Sequence, residues 1–337
     1  MNAPRYDLIA MGRSSLDLYS NNVGAPFVDI KEFGAFVGGC PLNISVGARR
    51  LGLNTALLTA FGADPVGDFI EHFLKQEGVE TRFIPRKPER RTSAVVLGIE
   101  PPDKFPLVFY RDNCADVALS IDDVQGAPFE TTRALLLSGT GLSQEPGRSA
   151  TLFAAERAQE MGLKVFLDVD FRADQWHDPR AFGVNVRALL PRVDVVIGTE
   201  EELKVAALSD ALEISIEGAQ VSSPTVSGDL EHAVETALGY GVQALVVKRG
   251  TRGARAYLSH GQTVAAEPFT VEVLSVLGAG DAFASGLIYG VLRGWSWPKC
   301  LRMGNACGAI VVTRPGCANF MPHEQEVLDF VAARGGF

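Results

Sequence analysis

The stretch VEVLSVLGAGDAFASG, from Val271 to Gly286, is the most informative part of the chain. An apolar run is followed by Gly-Ala-Gly, by Asp281, and then by small and apolar residues at helical spacing. This pattern predicts a strand–turn–helix junction. Because Gly278 and Gly280 have no side chains, the backbone N–H groups at the helix start are accessible and can form an anion-binding site. Asp281 stands at the rim of that site, where a carboxylate can take a proton from an attacking hydroxyl.

The same stretch excludes two common nucleotide motifs. After Gly278 and Gly280, position 283 is phenylalanine, so the dinucleotide fingerprint GxGxxG is not completed. The sequence also contains no GxxxxGK[ST] and no protein-kinase catalytic loop. A nucleotide-using enzyme with this sequence would therefore use neither of those solutions.

The rest of the chain alternates between strand and helix patterns. Apolar, β-branched runs recur at 6–11, 56–61, 134–138, 164–168, 193–198 and 244–248. Helical patterns lie at 41–51, 67–77, 147–161 and 230–239. This order predicts an α/β fold with a mostly parallel sheet buried on both faces.

Three segments interrupt the alternation. Residues 14–36 lack a helical period, and residues 90–111 are typical of two strands joined by a Pro-Asp turn. Both are expected to form a small β-sheet standing off the α/β body. Residues 209–228, which contain several Ser and Gly, are interpreted as an insertion or long loop.

Composition narrows the class of protein. The 337 residues carry a net charge of -9, which argues against nucleic acid or an anionic membrane as the main partner. No run reaches the length of a membrane span, and the N-terminal residues lack a signal-peptide pattern. Five cysteines without CxxC favour reduced thiols and a cytoplasmic protein. Neither a zinc site nor a GxSxG hydrolase has support.

Ligands of open α/β folds collect at the carboxyl ends of the strands, which makes the residues there candidates. Asp17 in GRSSLD can accept hydrogen bonds from a polyol, and Asn43 in GGCPLN offers a donor and an acceptor. Arg111 in FYRDNCAD matches a carboxylate bidentately, with Arg13 as a further nearby cation. Taken alone, Asp17 fits a solvated loop acid better and Arg111 fits a surface arginine better, while Asn43 fits a helix cap about equally well.

Two later strand ends carry acids. In LDVDFR the alternation points Asp168 and Asp170 the same way, suited to magnesium-bound water or a sugar hydroxyl, while Arg172 can face a phosphoryl group. Residues 200–202 in VIGTEEEL are all glutamate, which also suits a helix N-terminus electrostatically. The turn KRGTRG at 248–253 is glycine-framed and can border a nucleotide.

Together, in this order, these motifs resemble the ribokinase-like (PfkB) carbohydrate kinases over nearly the whole chain. The resemblance also includes FGADPVGDF at 61–69. It implies a single kinase domain over residues 1–337, a Rossmann-like body, and a β-lid formed by about 14–36 and 90–114. Several motifs, FYRDNCAD and VLDVDFR among them, are most similar to a sugar-acid kinase subgroup of inositol catabolism. The implied substrates are 5-dehydro-2-deoxy-D-gluconate and ATP with magnesium.

The resemblance also implies roles for individual residues. Asp281 matches the catalytic base, and Gly278, Ala279 and Gly280 match the anion hole. Asp17, Gly39 and Asn43 match sugar-side positions, and Lys248, Gly250, Gly253 and Asn305 match nucleotide-side positions. Further candidates are Arg111, Asp170 and Arg172 for the substrate side and Gly198 for the nucleotide side. Glu201 matches an acid that holds magnesium through water.

Three positions depart from the family pattern. Many members have an aspartate on a potassium ion where this chain has Ser275, which puts monovalent-cation activation in doubt. Backbone carbonyls near Val312, Gly316 and Asn319 remain candidates for such an ion. Gly198 and Asp170 stand where asparagine is common.

Alternatives remain open at this point. Within the class they are a kinase of 2-dehydro-3-deoxygluconate and a fructokinase. From a different class, the chain is a non-catalytic sugar or nucleotide sensor, although a sensor would not need the base Asp281. A lid with open sheet edges also predicts a homodimer in which two lids pair.

Overall fold

The computed structural model describes residues 5–100, 104–207, 214–215 and 224–337, with only the backbone at 214–215. In chain order the strands are β1 (Leu8–Met11), β2 (Ser15–Ser20), β3 (Phe33–Gly38), β4 (Thr55–Leu58), β5 (Phe61–Gly62), β6 (Arg86–Lys87), β7 (Ala94–Leu97), β8 (Leu107–Tyr110), β9 (Ala134–Ser138), β10 (Lys164–Asp168), β11 (Val195–Thr199), β12 (Ile214–Ser215), β13 (Thr225–Val226), β14 (Ala244–Lys248), β15 (Ala254–Leu258) and β16 (Thr263–Ala266). The helices are α1 (Cys40–Arg50), α2 (Pro65–Gln76), α3 (Ile121–Gln125), α4 (Gly147–Glu160), α5 (Pro179–Leu189), α6 (Glu200–Ala207), α7 (Leu230–Gly239), α8 (Ala279–Leu292), α9 (Trp297–Val311) and α10 (Glu324–Ala332).

Eight strands form the main sheet, in the order β4-β1-β9-β10-β11-β14-β15-β16. The first six run parallel, and β15 and β16 are antiparallel additions at one edge. Side chains of β1, β4 and β9 are buried along their whole length, because helices cover both faces of the sheet. The α/β prediction is confirmed, and every predicted strand of the alternating pattern is present.

Two apolar cores lie on opposite faces of the main sheet. One contains residues of α1, α2, α8, α9 and α10, and the other contains residues of α4 to α7. Local signals start several of these helices: Asp64 accepts a hydrogen bond from the Gly67 nitrogen at 2.8 Å, and Pro65 occupies the first turn of α2. The predicted helices at 41–51, 67–77, 147–161 and 230–239 match α1, α2, α4 and α7 within two residues.

A second sheet, called here the small sheet, has the order β3-β2-β7-β8. Two antiparallel pairs, β2 with β3 and β7 with β8, are joined by a parallel pairing of β2 with β7. The prediction of a separate small sheet from residues 14–36 and 90–111 is therefore confirmed, although the Pro-Asp turn lies outside the described residues. Because β2 follows β1 after three residues, the small sheet stands at the carboxyl edge of the main sheet.

Two regions, 271–277 and 209–228, do not match or do not test the sequence prediction. Residues 271–277 do not form the predicted strand, and Val273, Leu274 and Val276 are exposed. The backbone nitrogens of Leu274 and Ser275 both donate hydrogen bonds to the Val312 carbonyl. Of the predicted insertion at 209–228, most lies outside the described residues, and β12 pairs antiparallel with β13 at its end. Within the described part of the chain, no helix is long and apolar enough for a membrane span.

Candidate active site

Helix α8 begins at a left-handed glycine. Gly278 caps the helix with φ of 73°, and a Cβ on it would lie 2.5 Å from the backbone nitrogen of Cys317. Only glycine fits this position without a backbone shift. The first N–H groups of any α-helix lack partners within the helix, and the positive end of the helix dipole lies there. The start of α8 is therefore suited to bind an anion.

Asp281 lies in the first turn of α8, at one side of this anion site. The Asn43 amide Nδ2 donates a hydrogen bond to the Asp281 Oδ2 at 2.7 Å, which ties the start of α8 to the start of α1. Desolvation raises the pKa of Asp281, and the negative charge of Asp170 adds to this rise. A carboxylate with a raised pKa and a fixed orientation is suited to accept a proton.

Lys248, the last residue of β14, places a cation beside the start of α8. The Lys248 Nζ lies 3.1 Å from Asp168 Oδ2 and 3.8 Å from Glu202 Oε2. A Cβ on Gly280 would meet that same nitrogen at 3.2 Å. Burial opposes the charged form of Lys248, but the charge of Asp168 raises its pKa overall, so the side chain stays an ammonium ion.

Arg172 places a second cation on the same side. Its Nη2 lies 2.5 Å from Asp170 Oδ1, and its Nη1 lies 3.7 Å from Glu202 Oε1. Asp170 has a φ of 41°, a conformation that is rare outside glycine, and its other oxygen accepts a hydrogen bond from the Ser138 hydroxyl at 3.0 Å. The left-handed backbone turns this carboxylate toward the carboxyl edge of the sheet.

These groups form the walls of a cleft of about 480 Å³. Its lining residues are Asp168, Asp170, Arg172, Thr199, Glu202, Lys248, Arg249, Gly250, Gly253, Val276, Leu277, Gly278, Ala279, Gly280, Asp281, Phe283, Asn305 and Gly308. We call one part of this lining the glycine-turn end. It consists of the first residues of α8, 278–281, and the charged side chains Asp168, Asp170, Arg172, Glu202 and Lys248. Among the described residues, no group of three or more His, Cys, Asp or Glu side chains is arranged to hold a metal ion directly.

A second polar region lies on the other side of Asn43, under the small sheet. Arg13 Nη1 donates to the Ser15 hydroxyl at 3.2 Å, and that hydroxyl donates to Asp17 Oδ1 at 2.6 Å. Burial raises the pKa of Asp17 to about 6, although the charge of Arg13 opposes the rise. Gly39, with φ of 111°, packs against the backbone of Arg13, where a Cβ would meet the Arg13 carbonyl oxygen at 2.5 Å.

Arg111 enters this region from the end of β8. Its Nε donates to Asp116 Oδ2 at 2.7 Å, and its Nη1 donates to the Gln175 Oε1 at 2.7 Å. Both Arg111 and Asp116 are buried, so the pair is shielded from water. We call the set Arg13, Asp17, Asn43, Arg111 and Gln175 the arginine end.

Buried polar atoms without hydrogen-bond partners are concentrated at this end. Among the described residues, six buried side-chain atoms have no partner, and four of them belong to or directly adjoin the arginine end. They are Arg13 Nε, Asn43 Oδ1, Gln175 Nε2 and Asp116 Oδ1. Buried polar groups are nearly always paired in folded proteins, so such a concentration points to a missing polar ligand.

The structure brings most of the residues singled out from the sequence to one place. Those that line the cleft are Gly278, Ala279, Gly280, Asp281, Asp170, Arg172, Lys248, Gly250, Gly253 and Asn305. Asp17, Gly39 and Arg111 lie at the arginine end, outside the cleft lining, and Asn43 of that end donates a hydrogen bond to Asp281 in the cleft. Asn305 is held by hydrogen bonds from its Nδ2 to the carbonyls of Ala266 and Glu267, at 3.0 and 2.9 Å.

Other selected residues lie outside the cleft lining. Gly198 is buried within β11, where a Cβ would contact the Leu203 side chain at 3.2 Å. Glu201 is half-buried and does not line the cleft, whereas its neighbour Glu202 does. The Glu202 carboxylate accepts a hydrogen bond from the Thr199 nitrogen at 2.8 Å, while the Glu202 nitrogen donates to the Thr199 hydroxyl at 3.2 Å.

The region considered for a monovalent cation is already well bonded. Ser275 is fully buried, and its hydroxyl accepts a hydrogen bond from the Leu277 nitrogen at 3.2 Å. The Val312 carbonyl accepts two backbone hydrogen bonds, and the Asn319 carbonyl accepts one from Arg50. Gly316 packs against the Leu277 carbonyl, where a Cβ would lie at 2.4 Å.

Two residues of the site were not identified from the sequence. The Thr199-x-x-Glu202 spacing is a capping-box pattern, and it would have drawn attention to Glu202 rather than Glu201. Gln175 gave no sequence signal, because its place beside Arg111 depends on a long-range contact.

Comparison with known proteins assigns the chain to a family. The model of the "pfkB family carbohydrate kinase" matches residues 6–324. A 5-dehydro-2-deoxygluconokinase from Geobacillus thermodenitrificans is 32% identical over 326 residues, covering 96% of this chain and 93% of that protein. One from Bacillus anthracis is 33% identical over 327 residues, covering 97% and 95%.

Solved structures agree with this fold. Fructokinase with bound ATP from Xylella fastidiosa superposes with a TM-score of 0.82 at 23% identity, covering 97% of this chain and 98% of that one. A fructokinase variant from Vibrio cholerae O395, with fructose, ADP and potassium ion bound, superposes with a TM-score of 0.82 at 24% identity, covering 98% and 99%. The chain is an enzyme of the sugar-kinase type and belongs to the PfkB family of carbohydrate kinases.

Proposed function

We propose that the protein is an ATP-dependent sugar-acid kinase that converts 5-dehydro-2-deoxy-D-gluconate into its 6-phosphate. One observation carries the proposal: Asp281 stands in the first turn of α8, beside an anion-binding helix start, with its carboxylate oriented by Asn43. The full-length relatives that are 32% and 33% identical are named 5-dehydro-2-deoxygluconokinase, which supports the choice of acceptor.

The glycine-turn end fits the triphosphate of ATP. The first turn of α8 offers backbone N–H groups, and Lys248 and Arg172 add two cations to the same cleft. We assign the turn Gly250–Gly253 and the side of Asn305 to the nucleoside, with Gly198 behind them in β11. Gly250 and Gly253 have φ of 54° and 74°, and without side chains they allow the backbone of this turn to approach a bound nucleotide closely.

Asp281 then acts as the general base. Its raised pKa keeps it a stronger base than an exposed aspartate, so it accepts the proton of the acceptor's terminal hydroxyl as that oxygen attacks the γ-phosphoryl group. The N–H group of Gly280, at the start of α8, would stabilise charge on the phosphoryl oxygens. The N–H group of Ala279 donates to the Val276 carbonyl at 3.3 Å, so it would have to release that bond to join it. Lys248 and Arg172 hold further positive charge in fixed positions, because each is paired to a buried carboxylate.

The acidic side chains of the cleft would suit a magnesium ion that is held through water rather than by direct protein ligands. The cleft itself carries four carboxylates, Asp168, Asp170, Glu202 and Asp281, against the site cations Lys248 and Arg172, with Arg249 at its edge. Entry of a triphosphate would therefore require added positive charge, which Mg²⁺ would supply. Glu201 was the residue expected to accept hydrogen bonds from its water, but Glu202 is better placed, since it lines the cleft.

A role for a monovalent cation stays a prediction. Ser275 offers no carboxylate, and the carbonyls of Val312 and Asn319 already accept hydrogen bonds. We therefore propose that turnover requires Mg²⁺ and depends little on K⁺. Replacing K⁺ by a bulky organic cation at constant ionic strength measures this directly.

At the arginine end, Asp17, Asn43 and the backbone beside Gly39 would bind hydroxyls of the acceptor. Asp17 Oδ1 and Oδ2 accept hydrogen bonds from Ser15 and Tyr19 and retain further lone pairs. Arg111 and Arg172 were predicted to contact the acceptor as well. We propose that the small sheet, from residues 14–36 and 90–114, acts as the lid over this end.

The small sheet is also the proposed dimer contact. Its outer face exposes Phe33 on β3 and Val108 and Tyr110 on β8, and pairing two such faces would cover them. Sedimentation analysis of wild type and Tyr110→Glu tests this, with a dimer expected only for wild type. A cytoplasmic location also stays a prediction, consistent with five cysteines that are all buried and free.

A substrate panel tests the proposed function. We expect kcat/KM to be highest for 5-dehydro-2-deoxy-D-gluconate, lower for 2-dehydro-3-deoxy-D-gluconate, and lowest for fructose and ribose, measured by acceptor-dependent ADP formation. A higher kcat/KM for fructose than for every sugar acid would favour a fructokinase. Acceptor binding without any ADP formation would favour a non-catalytic sensor.

A further inference from the structure

Arg13 is a buried cation whose charge has no direct ion-pair partner among the described residues. Its relative exposure is 6%, its Nε has no hydrogen-bond partner, and its one hydrogen bond goes to the neutral Ser15 hydroxyl. Burying an arginine without a carboxylate contact is costly. Arg172 and Arg111, the other two site arginines, each contact an aspartate.

Packing fixes the orientation of Arg13. The guanidinium lies over the Phe109 ring, 5.0 Å from its centroid, while Nη1 is held by Ser15. The Nε edge is left without a partner, and it belongs to the same buried region as Asn43 and Asp17, which adjoin the base Asp281. The unpartnered Arg13 Nε therefore lies in the buried region that adjoins the proposed base.

Arg111 has fewer unpaired N–H groups that could bind an anion. Two of its nitrogens already donate, one to Asp116 and one to Gln175. The bond to Gln175 Oε1 fixes which way that amide points, so Gln175 Nε2 is presented as a donor, and this donor is unpartnered. Phe109 and Arg111 alternate along β8 and its end, so Arg13 and Gln175 border the same inner side of the small sheet.

We propose that Arg13 binds the carboxylate of the acceptor, with Gln175 as second donor and Arg111 as a positioning residue that orients Gln175. The proposal rests on the proposed function. A carboxylate only accepts hydrogen bonds, so it matches the two orphan donors Arg13 Nε and Gln175 Nε2. The orphan acceptor Asn43 Oδ1 matches a hydroxyl of the same ligand.

This arrangement makes Arg13 a determinant of specificity. A sugar acid supplies a carboxylate in direct contact with the guanidinium. With a neutral sugar, Arg13 interacts with Asp17 only through the Ser15 hydroxyl and with Asp170 only at longer range. Sites built to pair with a substrate group reject an analogue that lacks the group strongly, because the site's own polar atoms are then left unsatisfied.

The test compares Arg13→Gln, Arg13→Lys and Gln175→Met with wild type and with Arg157→Gln. Arg157 is a partly exposed arginine of α4 that pairs with Glu160, and it serves as the matched control. For each, kcat/KM is measured with 5-dehydro-2-deoxy-D-gluconate and with the best neutral sugar of the panel. We expect Arg13→Gln to lower kcat/KM for the acid about a hundredfold, mainly through KM, and to change the neutral sugar less than about threefold. Arg13→Lys should recover part of the loss, and Gln175→Met should lose about tenfold for the acid only.

The outcomes separate the two proposals. A wild type that phosphorylates no sugar acid overturns the proposed function. A wild type that does so, with a folded Arg13→Gln enzyme that keeps its preference for the acid, overturns only the role of Arg13. Equal losses for acid and neutral sugar would also overturn it. If Arg13→Gln does not fold, the partly exposed Gln175 decides, since an unchanged acid preference in Gln175→Met contradicts the carboxylate site.

Discussion

The two ends of the site satisfy their polar groups differently. At the glycine-turn end, Lys248 and Arg172 each contact carboxylates at 2.5–3.8 Å. At the arginine end, Arg13 Nε, Asn43 Oδ1 and Gln175 Nε2 are buried without partners. Both ends meet at Asp281, whose carboxylate accepts a hydrogen bond from Asn43.

This difference follows from what each end is proposed to bind. Phosphates are bound largely by charge and by backbone N–H groups, which a set of fixed ion pairs around a helix start can provide. A small sugar acid is recognised by the number and kind of its hydrogen bonds, so its site keeps donors and acceptors free. Each end can be tested separately by substitution, and Asp281 is the group that the two ends share.

The largest effect is expected for Asp281→Asn. The amide cannot accept the proton of the acceptor hydroxyl, so kcat should fall on the order of a hundredfold or more. The dissociation constant of ATP should change little, because the backbone of α8 is unaltered. Rapid-quench kinetics and calorimetric ATP titration measure the two quantities. Asp68→Asn, an exposed aspartate in the first turn of α2, is the matched control and should retain wild-type kcat; a near-normal kcat in Asp281→Asn would remove the base assignment.

Lys248→Met should have the next largest effect. It removes a cation from the cleft, so we expect kcat/KM for ATP to fall about fiftyfold. It also leaves Asp168 buried without its partner, so the free energy of unfolding should fall by about 3 kcal/mol. Urea denaturation measures the stability. The double variant Lys248→Met with Asp168→Leu should recover stability but not kcat/KM; recovery of both would show that the ammonium matters only to folding.

Substitutions of the neighbouring residues Glu201 and Glu202 test which of them holds the magnesium-bound water. Glu202→Gln should raise the Mg²⁺ concentration for half-maximal rate about twentyfold, because residues that bond metal-bound water commonly contribute on that scale. Glu201→Gln should change it less than twofold, since Glu201 does not line the cleft. A magnesium titration at saturating ATP compares them. The reverse order would restore Glu201 as the relevant acid.

The smallest predicted effect is on pH dependence. Burial raises the pKa of Asp17 to about 6, so the ionised carboxylate that accepts hydroxyl hydrogens is lost as pH falls through that value. The kcat/KM for the acceptor should therefore be about tenfold lower at pH 5 than at pH 7. In Asp17→Asn the fall should be smaller, because only the protonation of Asp281, whose pKa is also raised by burial, then contributes to it. A wild-type profile that stays flat down to pH 5 would contradict this role.

Most residues of both ends were predictable from the sequence, but the contacts that hold the arginine end together were not. Asp281, Gly278 and Lys248 lie in short motifs at strand and helix ends, where local spacing fixes the backbone. The partner of Arg111 at Gln175 is 64 residues away, and the left-handed backbone of Asp170 is set by its surroundings. Residues 271–277 were wrongly predicted as a strand, because apolar alternation alone does not reveal whether a neighbouring strand is available.

The identity of the phosphorylated product tests the central claim most directly. Wild-type enzyme is incubated with ATP, Mg²⁺ and 5-dehydro-2-deoxy-D-gluconate, and the products are followed by proton-coupled phosphorus NMR. Transfer to the terminal hydroxyl predicts a new phosphomonoester signal, split into a triplet by the adjacent CH₂ group and formed in step with ADP. The absence of a new ester, or a doublet from a secondary alcohol, would contradict the account.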